Sequence, residues 1–203
     1  AIAGLPQLRV LLGLSWLAGV FVVPEGLAAP YAHAVHGGPS ATGLLLAAGP
    51  LGAMVGAVVY VRVVPMQVRV RGVGLLALLC GLPLVACIIK PGLVVTLVLW
   101  ALCGVFSAYQ IQIFTEFARA VPNSSRGQAI SVASAGLLAV QGIGLLLGGV
   151  LAQVTSIFVA VAAAGAIGTV LALPLAGARA RHQRGERLQP APAPRHAAEP
   201  RRR

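Results

Sequence analysis

Acidic residues are what this chain has least of. Only four of its 203 residues are Asp or Glu, and just one of these, Glu25, falls inside an apolar run. Charged residues of both signs make up 9% of the chain and hydrophobic ones 58%. With a mean hydropathy of +0.91, a water-soluble surface for a chain of this size is excluded. The three cysteines, Cys80, Cys87 and Cys103, all lie in apolar runs, where a thiol behaves as a small polarizable hydrophobe. No disulfide framework, metal site or cofactor is expected from them. The chain also has no H-E-x-x-H, no serine elbow and no G-x-x-x-x-G-K-[ST] loop. Those absences exclude an intramembrane enzyme and an ATP-driven pump. The repeated charged or carbonyl rings of an ion channel are not something a single chain can display. The net charge of +11 would suggest nucleic acid in a soluble protein. Here the basic residues sit between apolar runs and in the C-terminal tail, which makes them a topology signal and leaves no nucleic-acid partner.

Six long apolar runs are present, at about 8–29, 43–61, 72–89, 93–114, 129–152 and 157–176. Each is close to the roughly 20 residues a helix needs to cross about 30 Å of hydrocarbon. Short alternating strands are missing, and a backbone in lipid must satisfy its own hydrogen bonds, so the expected fold is all-α: a polytopic bundle of six transmembrane helices. The bundle is assigned to residues 1–177. The Arg/Pro-rich segment 178–203 cannot bury enough apolar surface to fold, and is expected to be a disordered cytoplasmic tail lying on anionic lipid. With six spans the connections alternate. All fourteen arginines then fall on one side, against Lys90 alone on the other, which predicts a plasma-membrane protein with both termini in the cytoplasm. The first residue is Ala and the first apolar run is too long and too late for a cleaved leader, so the chain is read as a fragment or a processed product of something longer.

The stretch FTEFARAVPNSSRGQAISVASAGLLAVQGIGLLLGG, residues 114–149, orients the rest. Its polar island carries Arg119 and Arg126 and reads as a cytoplasmic loop between two spans. Asn123-Ser124-Ser125 matches a glycosylation acceptor, but the cytoplasmic side excludes that use; Ser124 or Ser125 as a helix cap is the better reading.

In the first span Pro24 removes a backbone donor, Gly26 loosens the helix, and Glu25 stands between them. Glu25 reads either as an ionisable group facing a wet cavity or as an outer-interface residue, since it lies about 25 Å from Leu8 at helical rise. His33 and His36 share a turn but have no second ligand pair, so an exposed loop is read there rather than a metal site. In the second span Gly49 and Pro50 form a hinge, and Gly52 and Gly56 form a flat packing face. The third span is read as mainly structural. Gln110 and Gln112 in the fourth span are either cavity residues or inner-interface residues. The fifth span puts Gln141 near mid-membrane beside a glycine face of Gly142, Gly144 and Gly148.

Three segments together resemble the C-terminal half of a major facilitator superfamily permease. They are VVPEGLAAPYA, GLLLAAGPLGAMVGA with its arginine-bearing loop, and AVPNSSRGQA leading into QGIGLLLGG. The resemblance covers about residues 8–177. It implies two six-helix bundles rocking around a central cavity, often driven by protons. It also implies that spans one, two, four and five border the cavity while three and six lie outside. The connection 62–71 departs from the family's G-x-x-x-D-R-type loop, since it has no acid. On this basis the expected function is proton-coupled efflux of a small molecule by alternating access, not enzymatic. Glu25 would be the proton-coupling carboxylate, and Tyr31, Gln110 and Gln141 the cavity contacts. The expected partners are membrane lipid, the substrate, and a missing N-terminal half or a second copy. The alternative is an orphan half-permease serving as a structural or regulatory subunit.

Overall fold

The computed structural model describes residues 6–121 and 126–188. The loop residues Asn123, Ser124 and Ser125, and the tail beyond residue 188, lie outside the described residues, and with them the capping reading. The described residues form helices and turns with no strand. The elements are α1 (Pro6–Leu17), α2 (Val23–Gly26), α3 (Ala28–Ala34), α4 (Pro39–Arg62), α5 (Met66–Val85), α6 (Leu93–Phe106), α7 (Tyr109–Ala120), α8 (Arg126–Val154) and α9 (Ile157–Leu188). Six stretches are long and apolar enough to cross a bilayer: Arg9–Gly26, Pro39–Arg62, Arg71–Ile89, Leu93–Ala120, Arg126–Val154 and Ile157–Arg181. They fall on the six runs read from the sequence, and the fold is the all-α membrane bundle expected of them.

Local chemistry explains where the helices start, stop and break. Pro39 opens α4 from an extended Gly38, and an extended Pro65 caps the start of α5, because the fixed φ of proline suits a first turn and its missing N–H costs nothing there. At the turn between the third and fourth spans, Lys90 adopts a left-handed backbone with φ 55° and the chain restarts from an extended Gly92. The first span is broken twice. Pro24 cannot donate to the carbonyl of Val20, and a 3-10 turn fills Val20–Val22; the chain bends again at Leu27 and continues outward as α3. The fourth span breaks between α6 and α7, where the Ser107 hydroxyl donates to the Gly104 carbonyl at 2.6 Å and competes with the helical ladder.

Three helix pairings hold the bundle. Spans two and four run parallel, with Gly52 against the Ala101 carbonyl, Gly56 against the Val105 carbonyl and Gly104 against the Gly49 carbonyl. A Cβ at any of these three glycines would overlap the facing backbone, so small residues set the approach. Spans one and five are also parallel. The Trp16 indole donates to the Ala133 carbonyl at 3.0 Å and lies over Gly136, while Val23 lies against Gly144 and Gly148. Spans three and six are antiparallel, with Gly81 facing Gly165 and Gly74 facing Ala176. Between them the core closes over Leu14, Leu45, Tyr109 and Ile113, all fully buried.

The final helix departs from the sequence expectation. Residues 178–188 continue α9 as helix, where composition had suggested disorder. Ala, Arg and Leu are good helix formers, and Arg179 is anchored by a 2.6 Å ion pair to Glu116 with its side chain only 8% exposed.

Candidate functional site

The break at Pro24 in the first span and the break at Ser107 in the fourth meet around one cavity. Its volume is about 160 Å³. Its wall takes Pro24 and Glu25 from α2, Gly49 and Pro50 from α4, and Ser107 and Gln110 from the break in the fourth span. Trp100 and Phe21 add aromatic surface, and Cys80, Leu84 and Cys103 line the wall from the third and fourth spans. Each interruption supplies a polar group: Pro24 holds Glu25 in a short helix, and the Ser107 turn restarts the chain so that Gln110 falls in the first turn of α7.

The depth of Glu25 follows from its neighbour. A Cβ on Gly49 would lie 3.6 Å from Glu25 Oε1. Gly49 is about 15 Å along α4 from its Pro39 end at helical rise, half the thickness of the hydrocarbon layer. Glu25 therefore stands near mid-height of the bundle. The count from Leu8 places it close to the interface only if the apolar run ends at Ala29. In the structure α3 carries the first span on to Ala34, so Glu25 has more than two turns of helix beyond it. Among the described residues no hydrogen bond or ion pair engages its carboxylate.

The residues singled out in the sequence divide on this geometry. Glu25, Pro24, Gly49, Pro50 and Gln110 come together on the cavity. Tyr31 does not. It is fully buried, shares a 3.1 Å hydrogen bond with Thr96 Oγ1, and meets the rings of Trp100 and Phe158 edge-on at 5.5 and 5.0 Å. Thr96 also donates to the Gly92 carbonyl, so the Tyr31 hydroxyl is the donor of their bond. Tyr31 is thus a core tyrosine, absent from the wall of this cavity. Gln141 lies in α8 where its backbone passes Gly19, and it is absent from the cavity wall. Gly26 faces Leu145 across the span-one to span-five contact. Gly142 faces open space, so only Gly144 and Gly148 of the expected glycine face pack, on Val23.

The helices bordering the cavity also differ from the arrangement implied by the resemblance. The third span contributes Cys80 and Leu84, Cys80 donating to the Cys103 carbonyl of the fourth span. The fifth span lines instead a separate groove of about 220 Å³, walled with Val20, Val23, Ile143, Leu147 and Ala164 among others, where no polar side chain is available.

At the bundle end that carries the Arg62–Arg71 connection, polar groups tie elements together. Arg69 donates to the carbonyls of Val64 at 2.6 Å and Val61 at 2.7 Å, and Tyr60 donates to the Arg69 carbonyl at 3.0 Å. The connection is thus closed by its own carbonyls, without an acid. Gln112 is buried and donates at 2.9 Å to the same Glu116 oxygen that Arg179 holds; it belongs to this network and not to the cavity. Arg119 is exposed, and Arg126 reaches the Val121 carbonyl at 3.5 Å. Sequence reasoning missed Glu116 and Arg179 as partners because they lie 63 residues apart. It missed Cys80 and Cys103 as cavity residues because nothing in an apolar run says which face is lined. Among the described residues no group of His, Cys, Asp and Glu is arranged to hold a metal ion by three or more ligands.

No curated protein and no solved structure matches this chain. A family model described as Major Facilitator Superfamily matches residues 6–201, nearly the whole sequence and all six spans. With a bundle broken at its first and fourth spans around an acidic cavity, and a family match of that extent, this chain belongs to the major facilitator superfamily of membrane transporters.

Proposed function

We propose that this bundle is the C-terminal half of a proton-coupled exporter in the plasma membrane, with Glu25 as the carboxylate that takes up and releases the coupled proton. The observation that carries this reading is the position of Glu25 at mid-height, on a cavity it shares with Gln110, at a break in the first span. An ionisable side chain in the hydrocarbon zone is costly to retain without a use. A carboxylate there can be neutralised by a proton in one state and be hydrated, or contact substrate, in the other. Export and antiport come from the likeness to the family, and cytoplasmic termini from the distribution of arginine.

Gln110 is the cavity's amide contact to substrate. Gln141, on the span-five side, would reach a substrate only when a second six-helix bundle closes the opposite wall, and that bundle, another half or a second copy, is the proposed partner. The exposed length of α8 supports such a partner, with Leu138, Leu146 and Val154 each more than 60% exposed. The same face supports the second reading, in which the chain is a structural or regulatory subunit that docks on another permease.

Glu25→Gln in the assembled permease tests the first reading. Uphill transport driven by a pH gradient is expected to fall at least tenfold in vesicles, with Glu25→Asp retaining part of it. Unchanged pH-dependent transport in Glu25→Gln overturns the role. Transport by neither the chain alone nor its assembly, with retained binding to a permease, selects the second reading.

A further inference from the structure

From sequence alone the third span is mainly structural and its cysteines are small hydrophobes. The structure brings two of the three thiols together on the cavity wall. Cys80 Sγ lies 3.6 Å from Cys103 Sγ and donates to the Cys103 carbonyl at 3.3 Å. Both line the cavity that holds Glu25. Their helices are fixed by the neighbouring glycines: Gly81 is set against Gly165 and Thr169 of α9, and Gly104 against Gly49 of α4. The sulfurs are therefore held in register by backbone packing on both sides rather than by flexible side chains.

We propose that Cys80 and Cys103 form a dithiol site for a small, neutral, thiol-bridging centre, of which a trivalent organoarsenical is the chemical class. The separation of the sulfurs selects this chemistry. A disulfide needs its sulfurs at about 2.05 Å and an oxidant besides. A single centre bonded to two sulfurs at about 2.3 Å with a near-tetrahedral angle holds them about 3.5–3.8 Å apart, the spacing already present. Charge selects it too. Bridging adds no net charge to a cavity that already holds Glu25, whereas a bis-thiolate of a monovalent metal would bury a second anion there.

With phenylarsine oxide the step balances without electron transfer. Each thiol forms one bond to arsenic, the arsenic–oxygen bond is lost, the two thiol protons leave on that oxygen as one water, and arsenic stays trivalent. The apolar substituent extends into the cavity beside Trp100 and Phe21. Cys87 is outside this pair. Its Sγ faces the Pro83 carbonyl at 3.9 Å, and it does not line the cavity. Binding at this dithiol is independent of the transport reading.

The test uses the full chain in detergent. It is treated with phenylarsine oxide, freed of excess reagent, unfolded, alkylated with N-ethylmaleimide and weighed by mass spectrometry. One arsenical per chain is expected, with Cys87 alkylated and Cys80 and Cys103 protected until 2,3-dimercaptopropanol releases them. Cys87→Ser should bind as the unmodified chain does, and Cys80→Ser and Cys103→Ser at least tenfold more weakly. Protection of Cys87 in place of either partner, no protection of any pair, or full binding by a folded Cys103→Ser overturns the proposal. Size-exclusion profiles report folding. Should a serine variant not fold, the identity of the two protected thiols in the unmodified chain decides alone.

Discussion

Glu116 and Arg179 meet at 2.6 Å and join the fourth span to the sixth, with Gln112 donating to the same carboxylate oxygen. The Arg179 side chain is 8% exposed and that of Glu116 26%. Removing one partner leaves the other charge desolvated, so the cost exceeds the net worth of the pair. Arg179→Gln or Glu116→Gln is expected to lower stability by about 1–3 kcal/mol. The double variant should fall short of the sum by a coupling of about 0.5–3 kcal/mol. Unfolding titrations of the four proteins in mixed micelles measure this. Strict additivity would show that the pair does not fasten the two spans.

The glycines at the contact of the second and fourth spans and Gly142 of the fifth span give opposite expectations. Gly52→Ala puts a methyl group into the Ala101 carbonyl, and Gly104→Ala does the same at Gly49. Each is expected to cost about 1–3 kcal/mol through overpacking. Gly142→Ala meets open space and should be neutral or stabilising by up to about 1 kcal/mol, as expected for alanine over glycine in a helix. Thermal unfolding of the three variants separates the two classes. Equal destabilisation by all three would show that the span-two to span-four contact is looser than described.

Tyr31 and Gln110 should separate in kinetics. Tyr31→Phe removes the bond to Thr96 and is expected to cost about 1 kcal/mol of stability with substrate KM unchanged. Gln110→Ala opens the cavity wall and should raise KM severalfold with stability little altered. The measurement is transport kinetics paired with unfolding on the same preparations. The reverse pattern would return Tyr31 to the substrate path.

The outward face of α8 offers a direct probe of the proposed partner. Leu146 is 68% exposed. A Leu146→Cys variant on a Cys-free background should cross-link to a second six-helix bundle when one is present, and label freely with a membrane-permeant maleimide when it is not. Free labelling in the assembled permease would move the partner to another face.

The six spans were legible because hydrocarbon imposes a length and a composition on every crossing segment. The ends of the second and fifth, at Pro39 and Arg126, fall only a few residues outside the apolar runs. What hydropathy could not give was facing. A helix in lipid is apolar all round, so Gly52, which meets another backbone, and Gly142, which meets nothing, look alike in sequence. The packing of Tyr31 was hidden for the same reason, since its place between Thr96, Trp100 and Phe158 depends on segments more than sixty residues away. The breaks were half legible. Pro24 announced the first, whereas the second rests on the rotamer of Ser107. Arg179 was misread because an arginine in a polar tail carries no mark of the carboxylate it will find.

The parallel contact of the second span with the fourth bears on the timing of synthesis. Gly52 meets Ala101 and Gly56 meets Val105, so neither neighbour in the chain, the first span or the third, can supply the surface that the second span's glycines need. While the chain is being threaded into the bilayer, the second span must wait in lipid with that flat face uncovered until the fourth has been delivered. A truncation or a long pause before residue 105 would leave the face open to the small-residue surface of any other helix passing through the same insertion site.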